Sequence, residues 1–190
     1  MTQSVRYTAF SHSLAAYWPS FVDCPKRLIT EAPLLDRITW DATGEPILDA
    51  CAGIGCESIY LRKRGLEVTS NEIDPELRAV ASTIAGSQGV HLQFTGADWR
   101  SIGEAFPPIS FQTILLMGNS LGLLNDLKEI LESLRQLYAL LRPGGKLVLD
   151  QRNYDYILNR RESILRGDFR YSRRYVYCGE SITGRPLKIS

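Results

Sequence analysis

Ile47-Leu48-Asp49-Ala50-Cys51-Ala52-Gly53-Ile54-Gly55-Cys56 reads as an apolar strand that runs into a tight Gly-x-Gly turn and then a helix. Twenty-three residues past Asp49 stands an acid, Glu72, at the end of a second strand-like run over residues 66–71. Strand, glycine turn, helix, strand and acid form one nucleoside-binding half of a doubly wound sheet. The glycines let backbone approach a ligand, and the acid can accept both ribose hydroxyls. The third glycine of a dinucleotide fingerprint is missing, because Ser58 stands in its place. A pyrophosphate needs that close packing and a free helix N-terminus. The turn therefore suits a nucleoside without phosphates, S-adenosylmethionine rather than NAD.

Working outward, the pattern alternates strand and helix. Strand one covers residues 46–51, and its helix runs from 55 to 64, where Gly65 stops it. Strand two is 66–72. Asp74-Pro75 is an N-cap followed by a first-turn proline, opening a helix that ends near Gly86. Strand three is 91–95 and strand four is 111–117, apolar on both faces as a central parallel strand is. A helix over 126–141 carries Leu127, Ile130, Leu131, Leu134, Leu137, Tyr138 and Leu141 at 3–4 residue spacing. Arg142-Pro143-Gly144-Gly145 ends it, and strand five is 146–151. The expected fold is α/β, a Rossmann-like parallel sheet in the order 3-2-1-4-5.

Residues 1–40 form a helical cap with apolar spacing over 13–17 and 25–38. Residues 41–152 form the cofactor-binding core, and 153–190 a substrate-side extension of the same single domain. Residues 153–190 alternate like antiparallel strands, Arg174-Tyr175-Val176-Tyr177 and then Pro186-Leu187-Lys188-Ile189, with Gly179 and Gly184 bracketing a hairpin turn.

The chain has 190 residues, 44% of them hydrophobic, enough for one sizeable core. With 22 basic and 21 acidic residues it carries no basic stripe for nucleic acid. No run approaches a membrane span of about 20 residues, and the N-terminus lacks a signal-peptide shape. Four cysteines without a C-x-x-C pair and two histidines argue against zinc. Cys51 and Cys56 read as small buried residues in a reducing cytoplasm.

Beyond this pattern, the chain resembles the class I S-adenosylmethionine-dependent methyltransferases, and within them the glycine N-methyltransferase and glycine/sarcosine N-methyltransferase group. The stretches carrying the resemblance are 47–55, 67–72, Ala97-Asp98-Trp99, Met117-Gly118-Asn119-Ser120-Leu121, and 141–145 through Asp150-Gln151-Arg152-Asn153-Tyr154-Asp155-Tyr156-Ile157-Leu158. The resemblance covers roughly residues 15–180. Gly-Asn-Ser after strand four and Arg-Asn-Tyr-Asp-Tyr after strand five are its most specific parts. The family's chains continue past this tail with a last helix and two strands, so the resemblance implies a chain short at its C-terminal end.

The resemblance implies an enzyme that methylates a small amino acid such as glycine or sarcosine and leaves S-adenosylhomocysteine. Asp49, Cys51, Gly53 and Gly55 would lie beside the methionine part of the cofactor. Glu72 would hold the ribose hydroxyls, where the family usually has Asp. Asp98 and Trp99 would frame the adenine, and Met117, Gly118, Asn119 and Ser120 would pass under the sulfonium. Trp18 and Phe21 match an aromatic pair of the cap, and Arg27 or Lys26 would hold the cofactor carboxylate. Arg152 would pair with the substrate carboxylate, a bidentate task suited to arginine, with Asn119 near the reacting amine. Plainer roles stand beside these: Asp98-Trp99 as loop packing, Asn119 as a strand-end cap, and Arg152 paired with Asp150 or Asp155. Competing functions are a methyltransferase for another small molecule and a truncated cofactor-binding module without turnover. An NAD enzyme ranks last. Homo-oligomerisation stays open.

Overall fold

β1 (Ile47–Asp49) forms the middle of a five-stranded parallel sheet because its residues bury both faces. Leu48 pairs with Thr69 of β2 (Val68–Asn71) on one side and with Ile114 of β4 (Phe111–Leu116) on the other. β3 (Gln93–Thr95) and β5 (Leu141–Leu149) complete the order β3-β2-β1-β4-β5, as the alternation of elements predicts. This computed structural model describes residues 12–124, 126–166, 169–171 and 176–178.

Alternate strand residues point to opposite faces, so the sheet has two cores. Ile47, Val68, Leu115 and Met117 pack on one face with Leu35 and Leu61. Those leucines come from α2 (Cys24–Ile38) and α3 (Cys56–Lys63). Leu48, Ile114 and Leu116 pack on the other face with Ile102, Leu137 and Leu140. α5 (Leu127–Leu140) and a 3₁₀ turn over Trp99–Glu104 supply these. α4 (Pro75–Ser87) starts where Asp74-Pro75 predicts. Asp74 Oδ1 accepts from the N–H groups of Glu76 and Leu77 at 2.8 and 3.3 Å, a side-chain N-cap. α1 (His12–Val22) completes the cap, its Ala15 and Trp18 packing against Ile54 and Leu77.

Three expectations need correction. On α5 the buried face is Ser133-Leu137-Leu140, while Leu127, Leu131 and Tyr138 are exposed. Two apolar stripes overlap on that helix, and the sheet takes the one that fills the Ile114–Leu116 layer. β5 begins directly after α5, and Arg142–Gly145 loop out inside the strand: Phe111 pairs with Leu141, but Thr113 pairs with Lys146. Gly145 permits this, since a Cβ there would lie 2.8 Å from Arg142 O. Residues 154–165 are helical, as α6 (Tyr154–Asn159) and α7 (Arg161–Leu165). The Asn153 side chain starts α6 by accepting from Tyr156 N at 2.9 Å, and this cap outweighs the strand-like alternation. The tail holds an antiparallel pair, β6 (Phe169–Tyr171) with β7 (Val176–Cys178). Gly179, Gly184 and residues 186–189 lie outside the described residues.

The cysteines also depart from expectation. Cys56 is buried but joined to Cys24 by a disulfide, with Cα atoms 5.3 Å apart. Each is the first residue of its helix, and α2 and α3 meet at these ends. No described helix is long and apolar enough to cross a membrane. Among the described residues no group of three His, Cys, Asp or Glu side chains stands ready for a metal.

Gly55 holds φ +82° at the start of α3, and a Cβ there would meet Leu92 Cδ1 at 2.9 Å. Gly55→Ala is expected to cost about 1–3 kcal/mol of stability through both effects. Urea unfolding reads this directly, and an unchanged midpoint would contradict it.

Candidate active site

The glycine turn and β2 are clasped by Glu72. Its Oε2 accepts from Gly53 N at 2.9 Å, and its Oε1 accepts from Asp74 N at 2.9 Å. Burial raises the Glu72 pKa, offset in part by these two N–H groups. The turn is open at Gly53, where φ is +53° and a Cβ would meet nothing within 4 Å. Gly55, by contrast, turns its Cβ side toward packed side chains of Leu92, Ala81 and Ile59.

Asp49 is buried at the end of β1. Its Oδ2 accepts from Ser58 Oγ at 2.7 Å, and Ser58 in turn accepts from Ser70 Oγ at 2.8 Å. The residue that replaces the third fingerprint glycine is thus an anchor for the acid. Asp49 Oδ1 has no hydrogen-bond partner among the described residues, and neither has Asp150 Oδ1. Two buried acceptors therefore stand ready for donors at the C-terminal edge of the sheet.

Facing them is Arg27 of α2. Its Nε donates to Glu31 Oε2 at 2.7 Å, and its Nη2 pairs with Glu57 Oε1. Burial alone would lower the Arg27 pKa, but Glu57 and Glu31 outweigh it and hold it above the ordinary range. A Cβ on Gly118 would lie 3.4 Å from Arg27 Nη2, so the guanidinium reaches the end of β4. Cys51 Sγ donates to Met117 O at 3.1 Å, and burial pushes its thiol pKa well up.

Asp49 is raised to about 7 and Glu31 to about 8, each by burial first and then by the charge of Glu57, with Arg27 opposing. Unfolded carboxyls titrate near about 4. Between those limits the folded state binds more protons than the unfolded one. The contribution of these two groups to stability is therefore full below about pH 4 and is lost as pH rises through 7 to 8. The ligand-free protein is expected to melt at progressively lower temperature from about pH 5 to 8, and Asp49→Asn to flatten that slope. Thermal unfolding across this range checks it, and an identical slope in the variant would count against Asp49.

Asn71 ties the next loops together. Its Nδ2 donates to Ala50 O at 3.2 Å and Ala97 O at 3.0 Å, and its Oδ1 accepts from Ala97 N and Thr95 Oγ1, both at 2.8 Å. This places Asp98 and Trp99 beside β1. Trp99 Nε1 donates to Ala50 O at 2.6 Å. The Asp98 carboxylate accepts from Arg100 N and Nε at 2.9 Å and also from Arg100 Nη2, which lowers its pKa. In the cap, Trp18 stacks on Phe21 with ring centroids 5.1 Å apart.

The β4 and β5 ends form the other wall. Gly118 and Asn119 both take left-handed conformations, with φ of 74° and 62°. Gly118 N donates to Asp150 Oδ2 at 2.9 Å, and Ser120 Oγ donates to Met117 O at 2.6 Å. Asn119 Oδ1 accepts from Arg152 N at 3.0 Å, and its Nδ2 donates to Tyr154 Oη at 2.7 Å. Gly122 leaves room for that hydroxyl, since a Cβ there would lie 2.9 Å from it. The segment after β5 is thereby tied to the segment after β4.

Comparison with known proteins agrees with this layout. The family described as "Methyltransferase domain" matches residues 47–145, from β1 into β5. The chain belongs to the class I S-adenosylmethionine-dependent methyltransferases. The chain is 32% identical over 172 residues to a glycine/sarcosine/dimethylglycine N-methyltransferase of Actinopolyspora halophila, covering 89% of this chain and 29% of the relative. It is 30% identical over 169 residues to a glycine/sarcosine N-methyltransferase of Halorhodospira halochloris, covering 89% of this chain and 60% of the relative. The chain thus spans less than two thirds of the length of either. A solved SAM-dependent methyltransferase from Methanosarcina mazei superposes with a TM-score of 0.54 at 26% identity, over 64% of this chain and 59% of that one.

The family match holds Asp49, Cys51, Gly53, Gly55, Glu72, Asp98, Trp99 and the 117–120 turn. Trp18, Arg27 and Arg152 lie outside it. Reading the sequence missed Ser58, Glu57, Glu31 and Asn71 as parts of the site. The serine in a glycine position and the i,i+4 spacing of Arg27 and Glu31 carry local signals.

Proposed function

We propose that this methyltransferase transfers a methyl group from S-adenosylmethionine to the amine of a small amino acid, glycine or sarcosine. The observation that carries the reading is the Asn119–Arg152 junction, where one amide links the turn after β4 to the backbone of Arg152. The names of the two curated relatives support the same acceptor class.

The cofactor fits the residues present. The open face at Gly53 admits it, and the unpartnered Asp49 Oδ1 offers an acceptor to its ammonium group. Glu72 would take the ribose hydroxyls on its remaining lone pairs. Trp99 and Asp98 would frame the adenine, and Arg27 would meet the carboxylate. When bound, the cofactor supplies an electrophilic methyl on a sulfonium. The chain's own work is then to hold a neutral amine in line with that carbon and to keep water away. Such positioning contributes about 7–11 kcal/mol in favourable cases. Arg152 would fork onto the substrate carboxylate. Asn119 Oδ1, which already accepts from Arg152 N, keeps a lone pair for the amine.

The test is to supply glycine, sarcosine and a panel of unrelated small acceptors with S-adenosylmethionine, and to weigh the products. Methylated glycine or sarcosine is expected. Product on some other acceptor alone would overturn the assignment. A second reading is a cofactor-binding module without turnover. Calorimetric binding of the cofactor with no methylated product would support that module.

A further inference from the structure

Glu57 has no part in the motifs that carry the resemblance, yet it is buried, at 4% exposure, in the first turn of α3. Its carboxylate pairs with Arg27 Nη2. Glu31, one helical turn beyond Arg27 on α2, takes Nε at 2.7 Å. Two acids thus grip one guanidinium from two helices, and the guanidinium is laid against Gly118 at the end of β4. The Cys24–Cys56 bond ties the first turns of those same helices together.

Such a buried triad is poor value as pure structure. Desolvating the buried arginine and its acids costs about as much as their attraction returns, and apolar side chains would fill the space as well. What the triad does achieve is direction. A long arginine has many rotamers, and one carboxylate on each side leaves a single placement of the fork.

We propose that Glu57 is a positioning residue for the cofactor's amino-acid end: it holds Arg27 so that the guanidinium's free edge faces the carboxylate of S-adenosylmethionine. Glu31 steadies the same fork from behind. This rests on the reading of Arg27 as the carboxylate partner. Glu57 touches neither adenosine nor the methyl acceptor, so its influence is confined to ligands that carry the homocysteine moiety.

The test compares S-adenosylhomocysteine with 5′-methylthioadenosine, which has the same nucleoside and no amino-acid end, by calorimetry under non-reducing conditions. Glu57→Gln is expected to weaken S-adenosylhomocysteine about tenfold or more, while 5′-methylthioadenosine stays within about twofold. In an Arg27→Ala background the further change Glu57→Gln is expected to shift S-adenosylhomocysteine by less than about twofold, because Glu57 acts through the guanidinium. Glu31→Gln, nearer the surface, gives the same ligand split if Glu57→Gln does not fold. Equal weakening of both ligands, no weakening, or a full additional loss in the Arg27→Ala background would each overturn the proposal. Absence of S-adenosylhomocysteine binding to the unaltered chain would instead remove the cofactor-site reading beneath it.

Discussion

Arg152→Ala is expected to lower kcat/KM for glycine or sarcosine by about 10²–10³-fold, the cost of truncating one side of a desolvated charge pair. Cofactor affinity should stay unchanged if, as proposed, Arg152 meets the carboxylate of the acceptor and not that of the cofactor. Arg152→Lys should recover only part of the loss, since an ammonium cannot fork onto a carboxylate. Turnover in the alanine variant near that of the unaltered chain would move Arg152 to the plainer role of partner to Asp150. Steady-state kinetics with S-adenosylhomocysteine calorimetry as a control separates these outcomes.

Glu72→Ala is expected to weaken cofactor binding by about 10²-fold or more, since hydrogen bonds to charged groups contribute about 1.5–3 kcal/mol each. Two losses combine there. The ribose hydroxyls lose their acceptor, and Gly53 and Asp74 lose the carboxylate that spans them. Because the ribose is common to S-adenosylhomocysteine and 5′-methylthioadenosine, both ligands should weaken together. Arg152→Ala should disturb neither ligand. A Glu72→Ala protein that binds 5′-methylthioadenosine normally would place the ribose elsewhere.

The sheet order was legible because each central strand is short, apolar and punctuated. Ile47–Asp49 and Phe111–Leu116 bury nearly every residue, so no competing pattern exists there. Asp74-Pro75 was legible because a cap is a local device, complete within four residues. The orientation of α5 is not legible, since its leucines satisfy two stripes and only packing against Ile114 and Leu116 chooses between them. α6 was missed because the alternation after Asn153 resembles a strand, and the Asn153 side chain decides the matter through one bond to Tyr156 N.

The candidate site divides in the same way. Asp49 and Glu72 sit at strand ends flanking a glycine turn, so pattern alone finds them. Glu57 and Asn71 do their work across elements, with partners 21 to 30 positions away in the chain. No local rule ties such pairs. Ser58 was noticed only as a missing glycine, and the structure gives it a function in holding Asp49.

The Cys24–Cys56 bond has a consequence for how the molecule breathes. It closes a loop with a sequence separation of 32 that contains all of α2, β1 and the glycine turn. A terminal cap without such a tether is free to peel away as its own opening unit. Here α2 is covalently tied to the start of α3, so amide hydrogens in the two helices should exchange in one shared event. A thiol reductant should split that event in two, with α2 exchanging first and the sheet amides of β1 and β4 last.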